Sequence, residues 1–138
     1  MVQVTVEKVA IDEKGEQAIV LLRDLARTTY VPLWIRSLEA SNIALQLGRV
    51  SFPRPLTVDL LVELTEKLKG QIVMATITEI KNDVFHAALS VDHKDGDFDM
   101  DCRPSDAIAI ALKVGAPIYV DEKVMAEAGV LVEDGDFQ

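Results

Sequence analysis

Six charged side chains fall close to the points where the chain turns into a helix: Glu39, Arg54, Asp59, Asp101, Arg103 and Asp106. Arg54-Pro55 and Arg103-Pro104 each precede a helix, and Glu39, Asp59 and Asp106 each sit in a first turn. Carboxylates there meet the positive end of the helix dipole, and arginines nearby make bidentate partners for them; on this reading the groups only tie helix starts together. On the other reading they converge on one cleft. Asp101 and Asp106 are then the leading ligands for Mg²⁺ or Mn²⁺, with Asp59 and Glu39 as further candidates, since hard divalent ions take oxygen ligands. Arg54 and Arg103 would meet phosphate, which their planar guanidiniums match, and helix N-terminal N–H groups would add to the anion site. Such a constellation suits phosphodiester hydrolysis, which needs an activated water and positive charge around phosphorus.

Other chemistries find little support. His86 lies in a strand and His93 in a turn, and neither has a second His or Cys at metal-ligand spacing. Ser105 has no histidine near it in sequence, and helix capping accounts for it. Cys102, the sole cysteine, excludes an internal disulfide and reads as a small core residue on the apolar face of a strand. No Gly-rich phosphate loop or zinc pattern is present.

These side chains must be held by surrounding elements. In 97–102 the aspartates alternate with Phe98, Met100 and Cys102, the period of a half-buried strand. Pro104 ends that strand at Arg103 and opens a helix. From Ala107 to Val114 almost every residue is apolar, which predicts a helix buried on most sides, stopped by Gly115 and followed by a short strand over 116–120. Upstream, alternation predicts strands over 2–9, 17–22 and 29–35, with Trp34 read as a core anchor and an interface residue as the alternative. Ser37 is placed as the cap of a helix reaching Leu47, and Thr57 as the cap of a helix over 58–69 that buries Leu60, Leu61, Leu64 and Leu68. Strands over 71–80 and 84–91 flank the turn Lys81-Asn82-Asp83, and a short helix starts near Asp121. The fold class is α+β: a mostly antiparallel or mixed sheet, two helices inserted mid-chain and one buried helix near the C-terminus.

At 138 residues the chain fits a single domain, with its core over about 2–126 and an acidic, frayed tail over 133–138. Hydrophobic content of 49% and a mean hydropathy of +0.20 are high, yet no apolar run approaches the roughly 20 residues a membrane helix needs. The surplus of apolar residues predicts a homo-oligomer. Strand alternation from the first residues, with no signal segment before it, predicts a cytoplasmic protein. A net charge of −9 opposes simple nucleic-acid binding, because nonspecific affinity for a polyanion comes from Lys and Arg.

Three separated stretches carry a resemblance. Cys102-Arg103-Pro104-Ser105-Asp106-Ala107-Ile108-Ala109 with Gly115-Ala116-Pro117-Ile118-Tyr119-Val120, then Pro32-Leu33-Trp34-Ile35 with Glu39-Ala40, and Pro53-Arg54-Pro55-Leu56-Thr57 with Asp59-Leu60-Leu61, resemble the bifunctional nuclease domain family in order and spacing. The resemblance spans residues 2 to about 126 and implies an enzyme acting on both RNA and DNA. Two positions depart from the pattern: Arg36 stands where many relatives have glycine, and Val58 where several have a polar residue, often histidine. The alternative from another class is a noncatalytic module that binds a protein partner or a small anionic ligand through Arg54 and Arg103. The low aromatic content, 5%, favours that alternative by leaving few platforms for stacking bases.

Overall fold

The computed structural model describes residues 1–132, so the expectation for the tail over 133–138 lies outside the described residues. Strands β1 (Val2–Ile11), β2 (Gln17–Asp24) and β3 (Thr29–Arg36) form the expected antiparallel meander. Helices α1 (Ser37–Leu47) and α2 (Thr57–Lys67) follow, then strands β4 (Gln71–Lys81), β5 (Val84–Asp92) and β6 (Phe98–Cys102). Helix α3 (Pro104–Val114), strand β7 (Ile118–Val120), helix α4 (Glu122–Ala128) and strand β8 (Val130–Leu131) complete the described chain.

All eight strands join one mixed sheet in the order β6-β5-β4-β7-β1-β2-β3-β8, and the fold is α+β as the element order predicts. Among the described residues only β4 and β7 run parallel. The parallel pair requires the chain to cross over the sheet, and α3 makes the return. That route explains why α3 is core: Ala107 to Ala111 are all buried, and Ile108 is fully enclosed. Val20 and Leu22 of β2, Val31 and Leu33 of β3, Ile43 of α1 and Ile77 of β4 pack into the same cluster. Each such side chain contributes about 1.5–3 kcal/mol by leaving water. Gly115 ends α3 in the left-handed region at φ 74°, the conformation that favours glycine over residues with a Cβ.

Two sequence expectations about burial are overturned. Trp34 is not a core anchor but is 64% exposed, because Val31 and Leu33 take the inward positions of β3 and alternation turns Trp34 outward. On α2 the leucines expected to form the buried face lie at the surface, and Val62 is the one buried residue of that helix. Capping also differs. Arg36 and Leu56, not Ser37 and Thr57, occupy the N-cap positions of α1 and α2, and the Ser37 hydroxyl donates instead to the Gly15 carbonyl in the β1–β2 turn.

Candidate functional site

Glu39, Asp59 and Asp106 occupy the same place in three helices, the third helical residue. In α1 and α2 this carboxylate reaches back to the N-cap N–H: Arg36 donates to Glu39 Oε2 at 3.3 Å and Leu56 to Asp59 Oδ2 at 2.8 Å. Each contact satisfies a helix-terminal N–H with no partner in the helix itself. In α3 the pattern changes. Asp106 turns to the side chain of the N-cap residue, accepting from Arg103 Nε at 2.8 Å and from a terminal nitrogen, Nη2, at 2.9 Å. Arg103 Nη1 then donates to Glu39 Oε1 at 2.8 Å, bridging 64 residues of chain and joining the starts of α1 and α3.

This triad is the centre of the site. The Arg103 side chain is 62% exposed while held by two carboxylates, and the bonds it donates to Asp106 keep it firmly protonated. Arg103 and Glu39 stand between two adjoining cavities. One, of about 250 Å³, lies among the three helices and is lined by Thr57, Val58, Ser105 and Asp106 as well. The other, of about 290 Å³, is flanked by Trp34 at the end of β3 and by Val84 and Phe85 at the start of β5. Cys102 also lines the first cavity, half-buried; burial, with Asp106 and Asp101 adding, pushes its thiol up to about 11.

The remaining residues singled out from sequence are placed as follows. Asp59 bonds Lys113 at 3.0 Å in the last turn of α3, about 10 Å along that helix from Asp106, so it does not join the triad. The Leu56 N–H, and then Lys113, hold its carboxyl below the ordinary value. Asp101 lies exposed at the end of β6, and its side chain makes no hydrogen bond or ion pair among the described residues. Arg54 is exposed in the loop between α1 and α2 and likewise makes no contact of either kind among the described residues, so it stands outside the hydrogen-bonded triad. His93 is engaged structurally, its Nε2 lying 3.0 Å from the Leu68 carbonyl. Sequence reasoning missed Lys113 and the siting of Trp34. Nothing in the local sequence marks Lys113, whereas strict alternation along β3 could have placed Trp34 opposite Leu33.

A match to the model of the bifunctional nuclease domain covers residues 20–133, which contain the triad and both cavities. The chain belongs to the bifunctional nuclease domain family. It is 39% identical over 134 residues to the uncharacterized protein Rv1829 of Mycobacterium tuberculosis, covering 97% of this chain and 80% of that one. It is 25% identical over 124 residues to bifunctional nuclease 1 of Oryza sativa subsp. indica, covering 88% of this chain and 38% of the rice protein. The family's bounds thus enclose the mixed sheet from β2 onward and the helix starts it carries.

Proposed function

We propose that this protein hydrolyses phosphodiester bonds of RNA and DNA where Arg103 divides the two cavities. Arg103 carries the reading: a guanidinium fixed in orientation yet open to solvent is prepared to meet a phosphate bidentately. Hydrolysis adds water across a P–O bond, so a base must take the proton of the attacking water while the departing oxygen gains one. A phosphate arriving at Arg103 competes with Asp106 and Glu39 for its N–H groups; a carboxylate released in that exchange takes the proton of the attacking water and passes it to the departing oxygen. Trp34 supports a nucleic-acid substrate, since an exposed indole beside the same arginine offers a stacking face to an unpaired base.

Mg²⁺ or Mn²⁺ was the expectation for Asp101, Asp106, Asp59 and Glu39. As arranged, these residues do not fit such an ion. The oxygens of Asp106, Asp59 and Glu39 are taken by Arg103, Lys113 and backbone N–H groups, and no group of three or more metal-ligating side chains occurs among the described residues. The steps above therefore use only the chain's own side chains. A second reading, a noncatalytic module taking a small anionic ligand at Arg103, draws support from the net charge of −9.

The test is cleavage of single-stranded RNA and DNA by the purified protein, with Mg²⁺, with Mn²⁺ and with EDTA. Activity should follow the protein peak and fall about 100-fold or more in Arg103→Ala, the scale of losing one charge-stabilising donor. Equal cleavage by parent and variant would remove Arg103 from the reaction. Anion binding at Arg103 without cleavage under any metal condition would favour the module.

A further inference from the structure

The apolar face that α2 turns to solvent needs an occupant. Leu60, Leu64 and Leu68 recur every four residues along one stripe, and Leu61 lies beside them. Across from Leu61, Leu64 and Leu68, strand β6 presents Phe98 and Met100, and a groove of about 490 Å³ runs between helix and strand. These six side chains are 37% to 65% exposed. Together they leave roughly 530–630 Å² of apolar surface, taking roughly 170–200 Å² for each whole side chain. The largest patch on an ordinary monomer reaches about 300–600 Å², whereas each side of a standard protein interface buries about 800 Å². The patch thus lies at the top of the ordinary range, and with a polar rim around it approaches one side of a standard interface.

We propose that a second copy of this chain covers this face, with the two α2 helices packed antiparallel about a two-fold axis. The helix is complementary to itself in that arrangement. Leu64 meets Leu64 of the second copy at the axis, Leu60 meets its Leu68, and Glu63 lies beside its Lys67, with the same contacts repeated in reverse. Glu63 and Lys67 flank the leucine stripe and make no ion pair with another residue among the described ones, so both are available. The leucines of the second copy also fill the groove in front of Phe98 and Met100.

Pairing through the β6 edge of the sheet is a less favourable way to join two copies. Strand β6 is the outer strand, but Asp99 and Asp101 stand on its other face, and an antiparallel β6–β6 contact would oppose carboxylate to carboxylate. The helix contact keeps those charges at the periphery. This inference does not depend on the nuclease reading.

Light scattering on the eluting full chain should give twice its 15.2 kDa mass, and Leu64→Asp should give the single mass. Circular dichroism and a thermal melt of Leu64→Asp should show an intact fold, since the residue is at the surface. Glu63→Lys and Lys67→Glu are the sharper pair. Each alone opposes like charges across the axis and weakens self-association; mixed, they restore two attractive contacts, and native mass spectrometry should show the heterodimer in excess over either homodimer. A monomeric parent, an odd-numbered assembly, or a dimer that Leu64→Asp leaves intact would overturn the proposal. Failure of the mixed pair to prefer each other would overturn the antiparallel register.

Discussion

Arg103 and Asp106 are joined fork to fork, by two bonds of 2.8 and 2.9 Å, within the first turn of a helix whose remainder is core. Pro104 is what permits this. With proline at the first helical position one of the terminal N–H groups is already absent, and the chain enters the helix with Arg103 extended at φ −71° and ψ 149°. The guanidinium is thereby held at the surface by a helix that cannot move without disturbing the core. Glu39 fixes its remaining edge from α1.

Replacing Asp106 by asparagine should separate function from stability. The pair is solvent-exposed, so its loss should cost about 1 kcal/mol or less in unfolding free energy. Arg103 would keep Glu39 but lose its bidentate anchor, and the proposed cleavage should fall by about tenfold or more. Denaturant unfolding and kcat/KM on a single-stranded oligonucleotide check the two halves. A loss of activity matched by a large loss of stability would make the role purely structural.

Cys102 should be chemically silent in the folded protein. Burial comes first among the causes that push its thiol up to about 11, followed by the carboxylates of Asp106 and Asp101. At pH 8 it is almost wholly protonated, and the thiolate is the reactive form. A disulfide reagent should therefore label native protein slowly at pH 8 and unfolded protein at the rate of an ordinary thiol. Fast labelling of the folded chain would contradict this environment.

Asp59 should shape the acid limb of stability. Its folded pKa lies below the ordinary 3.8, the Leu56 N–H being the first cause and Lys113 the second. The sign follows from linkage: a depressed carboxyl stabilises the fold above its unfolded value, and that contribution disappears as pH falls through the folded value. Asp59→Asn should thus be less stable than the parent at pH 6, with the difference closing below about pH 4. Lys113→Ala, which spares the backbone bond, should show a smaller change of the same sign. Unfolding midpoints between pH 2.5 and 7 decide it.

The residues show why the fold was more legible than the site. Alternation fixes strands such as β1 to β3 because one face of each is buried, and the unbroken apolar run of α3 marks a helix with little solvent. The same logic misread which face of α2 is buried. A leucine stripe states that a face avoids water but not whether its cover is the same chain, and here Val62, not the leucines, joins the buried core. The carboxylate at the third position of α1, α2 and α3 was visible as a pattern. Its partners were not, because the contact from Arg103 to Glu39 and that from Lys113 to Asp59 depend on how the helices are set against one another. Strand β8 and the parallel pairing of β7 with β4 are likewise products of tertiary return, not of local pattern.

Trp34 offers a test of both its exposure and its proposed use. A tryptophan in the core would cost about 3–5 kcal/mol on truncation to alanine, whereas an indole 64% exposed should cost far less, about 1 kcal/mol. As the only tryptophan in the chain, it makes intrinsic fluorescence a report on this single position. Acrylamide should quench the folded protein nearly as well as the unfolded one. If bases stack beside Arg103, single-stranded oligonucleotide in EDTA should quench the same signal saturably, and Arg103→Ala should weaken that binding. Trp34→Ala should then raise KM for a single-stranded substrate more than it lowers kcat, since stacking on the ground state and the transition state alike is uniform binding. Cleavage with unchanged KM in Trp34→Ala, and no quenching by any oligonucleotide, would leave Arg103 in place and remove Trp34 from the binding surface.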